Sequence, residues 1–180
     1  MKRILAFLLY SLIGSNVWAG NNIWLLVDTQ KLSLSVNQGD KTLEVLDNIA
    51  IGKRGAGFKK RVGDEVTPLG DYKIGWIDRR SAYHLFMGIN YPSLDNAEQA
   101  LDLGLINQNQ YDSIVSAAIH NRIPPQNTPL GGRIGIHGLG RADLKIHESM
   151  NWTRGCIALT NSQIMRLSRW VSAGTVIKIR

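Results

Sequence analysis

A single cysteine, Cys156, serves all 180 residues, so no disulfide can form within one copy of the chain. Long apolar runs are missing too. The stretch at residues 4–13 is far shorter than the ~20 residues that a membrane-spanning helix needs. Acidic residues are the scarcer charge, 14 against 21 Lys and Arg. Repeats, low-complexity tracts and an evident linker are all absent, which points to one domain. The basic, glycine-rich segment at 52–64, GKRGAGFKKRVGD, lacks the Gly-Lys-Ser/Thr ending of a phosphate-binding loop. It reads as a mobile surface loop.

What is present begins with MKRILAFLLYSLIGSNVWAG. Lys2 and Arg3 precede an apolar stretch, and Val17 and Ala19 occupy the small-residue positions of a cleavage site, the pattern of a secretory signal peptide over residues 1–19. An uncleaved anchor is disfavoured by Gly14, Ser15 and Asn16, and no cysteine follows that could carry a lipid. The domain then spans residues 20–180, with no transmembrane segment left after cleavage, and export implies a periplasmic location in a cell with two membranes. The formal net charge of +7 drops by two when Lys2 and Arg3 leave. A basic exported protein suggests an anionic polymer or membrane surface as neighbour, and argues against nucleic acid.

Periodicity gives an α+β chain that is mainly β. Residues 23–29 and 32–36 read as strands, the second with clean alternation, and TLEVL and NIAIG extend an antiparallel meander. Pro68 and Gly70 make a turn before an extended run at 72–77. Two helices follow, one opened by Asp95 with Glu98 and stopping at Gly104, the other opened by Asn107 with Gln110. Tyr111, Ile114, Val115, Ala118 and Ile119 of the second fall at helical spacing. RIGIH at 133–137 alternates, placing His137 opposite an apolar face. A helix at 162–172, with Ile164, Leu167, Trp170 and Val171 inward, precedes the strand TVIKI.

An exported chain with one thiol leaves three readings for Cys156: a buried bystander, a bridge to another chain, or a nucleophile. A nucleophilic thiol, with an ordinary pKa of ~8.5, needs a partner that takes its proton. Of the four histidines, His137 ends a strand and is followed by Gly138, which leaves room for substrate or another backbone. His84, His120 and His147 read as surface or satisfied side chains. Gly155 lets the main chain approach a substrate carbonyl, so the N–H groups of Gly155 and Cys156 are expected to form an oxyanion hole. Arg154 has two possible uses, favouring the thiolate or pairing with a substrate carboxylate, against a solvated strand-end charge. No ligand spacing suits zinc, and no cofactor is implied.

The ordered set TPLGDYKI, NYPS, IGIHG and WTRGCIALTN resembles the L,D-transpeptidase catalytic domain, the YkuD family, across nearly the whole chain after residue 22. The resemblance implies a mixed β-sandwich or barrel with a two-helix insertion and a helix before the last strand. It implies Cys156 as nucleophile, His137 as general base and later acid, and the Gly138 carbonyl as the group that orients the imidazole. Thr153 matches the Ser/Thr of the motif. Arg154 stands where the family usually has histidine, and Ala158 where it has a polar residue. The implied reaction is acyl transfer on peptidoglycan stem peptides through a Cys thioester. The acceptor is a second stem, giving a 3-3 cross-link, or the amine of a wall-attached lipoprotein. A hydrolase on the same scaffold and a non-catalytic wall-binding module are the alternatives.

Overall fold

The computed structural model describes residues 23–180, and the expected signal peptide lies outside them. The strands in chain order are β1 (Ile23–Asp28), β2 (Ser33–Gln38), β3 (Lys41–Asp47), β4 (Ala56–Gly57), β5 (Thr67–Pro68), β6 (Gly70–Asp78), β7 (Phe86–Ile89), β8 (Gly135–His137), β9 (Ile157–Ala158) and β10 (Val176–Ile179). The helices are α1 (Leu94–Asp102), α2 (Gln108–Ile119), α3 (Leu144–Ser149) and α4 (Asn161–Leu167).

Alternation in the first strands builds the core. Leu25 and Val27 of β1 stand opposite Val36 and Leu34 of β2, and on the other flank opposite Ile177 and Ile179 of β10; all six are fully buried. Burying a side chain of this kind contributes about 1.5–3 kcal/mol. The eight-stranded mixed sheet runs β3-β2-β1-β10-β6-β7-β8-β9, with β1–β10 and β8–β9 parallel. A register shift between Ile74 and Trp76 bends β6. Ala50, just past β3, exchanges hydrogen bonds with Ala158 of β9 at 3.0 and 2.7 Å. Chain leaving one edge of the sheet therefore meets the opposite edge, and the sheet wraps in a barrel-like way.

The two-helix insertion lies between β7 and β8, as expected, although its first start signal differs. Ser93, not Asp95, caps α1, and its partner in the capping box is Asn96. Asn96 is buried and also meets the Tyr72 hydroxyl at 3.0 Å, so tertiary contact fixes where the helix begins. Asn107 and Gln110 do cap α2. Ile119, expected inward, is 72% exposed at the last position of that helix. The final helix is shorter than its pattern suggests. After Leu167 the chain tightens into three-residue turns, Val171 still reaches the core, and Trp170 swings out to donate to Glu44 Oε2 at 2.7 Å. Helix α3, capped by Asp143, has no counterpart in the sequence reading.

The segment at 52–64 is a correction as well, being anchored where a mobile surface loop was expected. Lys59 is 2% exposed and ion-paired with buried Asp64. Asp64 also accepts the N–H groups of Lys60, Arg61 and Val66 at 2.8, 3.2 and 3.2 Å. Burial raises its pKa, but the lysine and these donors outweigh it and hold the carboxyl below its usual range. Parallel pairing of β4 with β5 ties down the rest.

Candidate active site

Strand β8 delivers His137 between Phe86 of β7 and Ala158 of β9. The imidazole is only 3% exposed. Its Nδ1 lies 2.7 Å from the Gly138 carbonyl oxygen, which can only accept, so Nδ1 carries the proton and the neutral ring keeps its lone pair on Nε2. Aromatic rings surround it. Tyr83 lies at 4.4 Å between centroids, Trp152 meets it edge-on at 5.9 Å, and Phe86 stacks at 6.3 Å. The face that the sequence left as merely opposite the apolar side is thus an aromatic enclosure. Burial lowers the His137 pKa, the Gly138 carbonyl opposes that, and His147 adds slightly to it.

Cys156 immediately precedes β9. The parallel register pairs Ile136 with Ile157 and His137 with Ala158, so Cys156 falls opposite Gly135. Parallel partners share a face and alternate residues return to it, which makes Cys156 and His137 diagonal neighbours on one side of the sheet. Both line a cavity of about 430 Å³ with Lys53, Tyr83, Trp152, Thr153 and Arg154. Protein surrounds most of the sulfur, although the residue stays partly accessible. Its S–H points to the Arg133 carbonyl at 3.7 Å. Burial pushes the thiol up to about 11, against the smaller opposing pulls of the Gly135 N–H and the Lys59 ammonium. Both shifts favour the uncharged forms, a thiol and an imidazole.

Local contacts fix the residues that flank the thiol. Thr153 Oγ1 donates to the Cys156 carbonyl at 2.7 Å and accepts the Gly155 N–H at 3.1 Å. That bond occupies the Gly155 N–H, which is therefore not free to serve as one of the two donors expected of an oxyanion hole. Gly155 is needed for packing: its φ is +123°, and a Cβ there would stand 2.7 Å from the Val66 carbonyl oxygen. Gly138 likewise makes room for backbone and not for substrate, since a Cβ would meet the Tyr83 carbonyl oxygen at 2.8 Å. Ala158, where the motif departs from its usual form, is buried in the bridge to Ala50. Arg154 is exposed on the cavity rim.

His147 corrects a second expectation. It is 4% exposed, its Nδ1 accepts the Trp152 indole N–H at 3.3 Å, and its Nε2 has no hydrogen-bond partner. Burial lowers its pKa, while the nearby Asn48 main chain and Glu148 favour the protonated ring. The other two histidines are exposed, His120 closing α2 with Nδ1 2.7 Å from the Ser116 carbonyl. Tyr83, Trp152, Arg133 and Lys59, which line or adjoin this cavity, were not singled out in the sequence. The signals available were the tryptophan that opens WTRGCIALTN and the arginine that opens RIGIH; Tyr83 and Lys59 had none. Among the described residues no three of His, Cys, Asp or Glu gather as a metal site, and no helix is long and apolar enough to cross a membrane.

A scan against protein families matched residues 22–179 to the L,D-transpeptidase catalytic domain, YkuD. A search of curated proteins returned no match. Among solved structures, the helical cell shape determining protein Pgp2 from Campylobacter jejuni superposes with a TM-score of 0.61 at 22% identity, over 88% of this chain and 47% of that one. Bd1075 from Bdellovibrio bacteriovorus gives 0.56 at 21% identity, over 89% and 48%. The L,D-transpeptidase LdtMt1 in complex with imipenem gives 0.50 at 15% identity, over 89% and 60%. At these identities the likeness is one of fold, and this chain spans about half the length of the first two.

Proposed function

We propose, for a chain that belongs to the L,D-transpeptidase catalytic domain family, that it is an exported, periplasmic cysteine acyltransferase acting on peptidoglycan stem peptides. In the proposed reaction, Cys156 Sγ attacks the carbonyl that joins meso-diaminopimelate to the terminal D-alanine, as His137 Nε2 takes the thiol proton. The tetrahedral intermediate collapses to a thioester, and the imidazolium returns its proton to the departing D-alanine amine. An acceptor amine then attacks the thioester, its proton passes to His137, and the thiol re-forms. A stem acceptor gives a 3-3 cross-link and a lipoprotein amine gives an attachment, whereas water gives trimming by the same acyl-enzyme.

The observation that carries this reading is the His137 tautomer. Its Nδ1 is tied to the Gly138 carbonyl, which leaves a basic Nε2 in the cavity that also admits the only thiol of the sequence. The raised thiol and lowered imidazole suit a base that accepts its proton only as the bond forms. The test is mass spectrometry of the mature protein after exposure to a carbapenem. An adduct that is absent from Cys156→Ala is expected; an unmodified parent protein rejects the reading. Muropeptide analysis after incubation with tetrapeptide-rich wall then separates transfer, which yields 3-3 dimers, from hydrolysis, which yields only trimmed monomers.

A further inference from the structure

Building on that reading, we propose that Arg133 and Arg154 form a carboxylate subsite beside Cys156, which takes the free terminal carboxylate of the residue leaving the acyl donor. Both arginines line a cleft of about 770 Å³ walled by Trp76, Phe86 and Tyr83. Tyr83 and Arg154 also line the cavity that holds His137 and Cys156, so the two spaces share a wall. No acidic side chain lines the cleft, and neither arginine enters any ion pair among the described residues. Two exposed guanidinium groups in one concave, half-aromatic space suit a planar anion. Lys53, the other cation at the Cys156 cavity, is already paired with Glu65 at 3.4 Å.

The backbone of Arg133 is held in place for this. Its φ is +53°, a left-handed conformation that a non-glycine residue keeps only where its surroundings hold it. Gln126 Oε1 holds it by accepting its N–H at 2.7 Å, while the Gln126 amide is itself fixed on the carbonyls of Tyr91 and Pro124. The Arg133 carbonyl in turn receives the Cys156 S–H. One residue thus positions the sulfur through its main chain and offers its side chain to the cleft. Arg154 lies two residues before the thiol. A terminal carboxylate one residue beyond the attacked carbonyl is separated from it by only a nitrogen and a Cα, which matches that placement. The subsite therefore selects donors that end one residue past the attacked bond.

The test is equilibrium binding to Cys156→Ala protein, which forms no thioester and so reads the subsite alone. The probes are a stem tetrapeptide, L-Ala-γ-D-Glu-meso-diaminopimelate-D-Ala, and the same peptide with its D-alanine carboxyl amidated. The acid is expected to bind about tenfold tighter or more. Arg133→Asn with Arg154→Gln is expected to close that gap to within about twofold. Asn is chosen because it tolerates the left-handed backbone. Equal binding of acid and amide, a gap that survives in the double variant, or no binding of either probe at millimolar concentration overturns the proposal. Should the double variant fail to fold, the acid-to-amide ratio of the Cys156→Ala protein and of each single arginine variant decides. A missing carbapenem adduct would count against thioester chemistry and leave this measurement standing.

Discussion

Thr153 bonds to both ends of the residue pair that presents the thiol: its hydroxyl donates to the Cys156 carbonyl and accepts the Gly155 N–H. Thr153→Val keeps the shape and removes both bonds. Each buried group left unmatched costs about 1–3 kcal/mol, so urea unfolding should show a loss of about 2 kcal/mol or more, with slower carbapenem acylation. Thr153→Ser should recover most of both. Equal stability of the valine and serine variants would mean that the hydroxyl is not holding this turn.

His137 is expected to control how fast Cys156 reacts near neutral pH. Burial lowers the imidazole pKa from 6.5, so the neutral base persists below that value and the acid limb of iodoacetamide alkylation should lie on its acid side. Without the base the free thiol governs. In His137→Gln, alkylation should be much slower at pH 7 and should rise about tenfold per pH unit toward about 11. Superimposable pH profiles for parent and variant would remove His137 from the reaction.

Lys59→Met leaves Asp64 buried without its cation. Removing one member of a buried pair typically costs about 3–5 kcal/mol, although three backbone N–H donors still serve the carboxylate, so the lower end is expected by chemical unfolding. Lys59 also favours the Cys156 thiolate. The same variant should therefore shift the thiol titration upward, a readout that lost stability alone would not move.

His137 and His147 both have pKa values held below 6.5 by burial. As pH falls through ~6.5 the unfolded chain gains protons that the folded protein refuses, so stability should be full above that value and decline below it. Thermal unfolding should show Tm falling by several degrees between pH 7.5 and pH 5. Opposing the shift at His147 are Glu148 and the Asn48 main chain; opposing it at His137 is the Gly138 carbonyl. His147→Gln should give a shallower decline, and an unchanged slope would show that the His147 pKa is the same in the folded and unfolded chain.

Local signals carried much of the architecture. Apolar alternation located β1, β2 and β10, and the Asn107–Gln110 pair started α2, because those features need only the neighbouring residues. Tertiary contacts decided the rest. Asn96 moved the start of α1 by engaging Tyr72, and Asp64 drew Lys59 inward from a segment whose composition looked solvated. In the candidate site the two motifs were legible as residues, and β8 and β9 turn out to be adjacent strands. Room for another backbone at Gly138 was legible, but the segments that need it were not, since the Tyr83 and Val66 carbonyls that exclude a Cβ at Gly138 and Gly155 come from remote parts of the chain. The surroundings of His147 are partly non-local too, since the Asn48 main chain lies beside its ring.

Strand β10 follows every other described element in the sequence yet lies between β1 and β6 in the sheet. Until it inserts, the amino-terminal meander and the β6–β9 half that carries the thiol and imidazole have no shared ladder through the middle. Assembly must therefore wait for the end of the domain to be synthesised, and contacts of such long sequence separation fold slowly. A nascent chain that lacks β10 would expose the unpaired edges of β1 and β6. That ordering delays closure of the sheet until the last strand has been made.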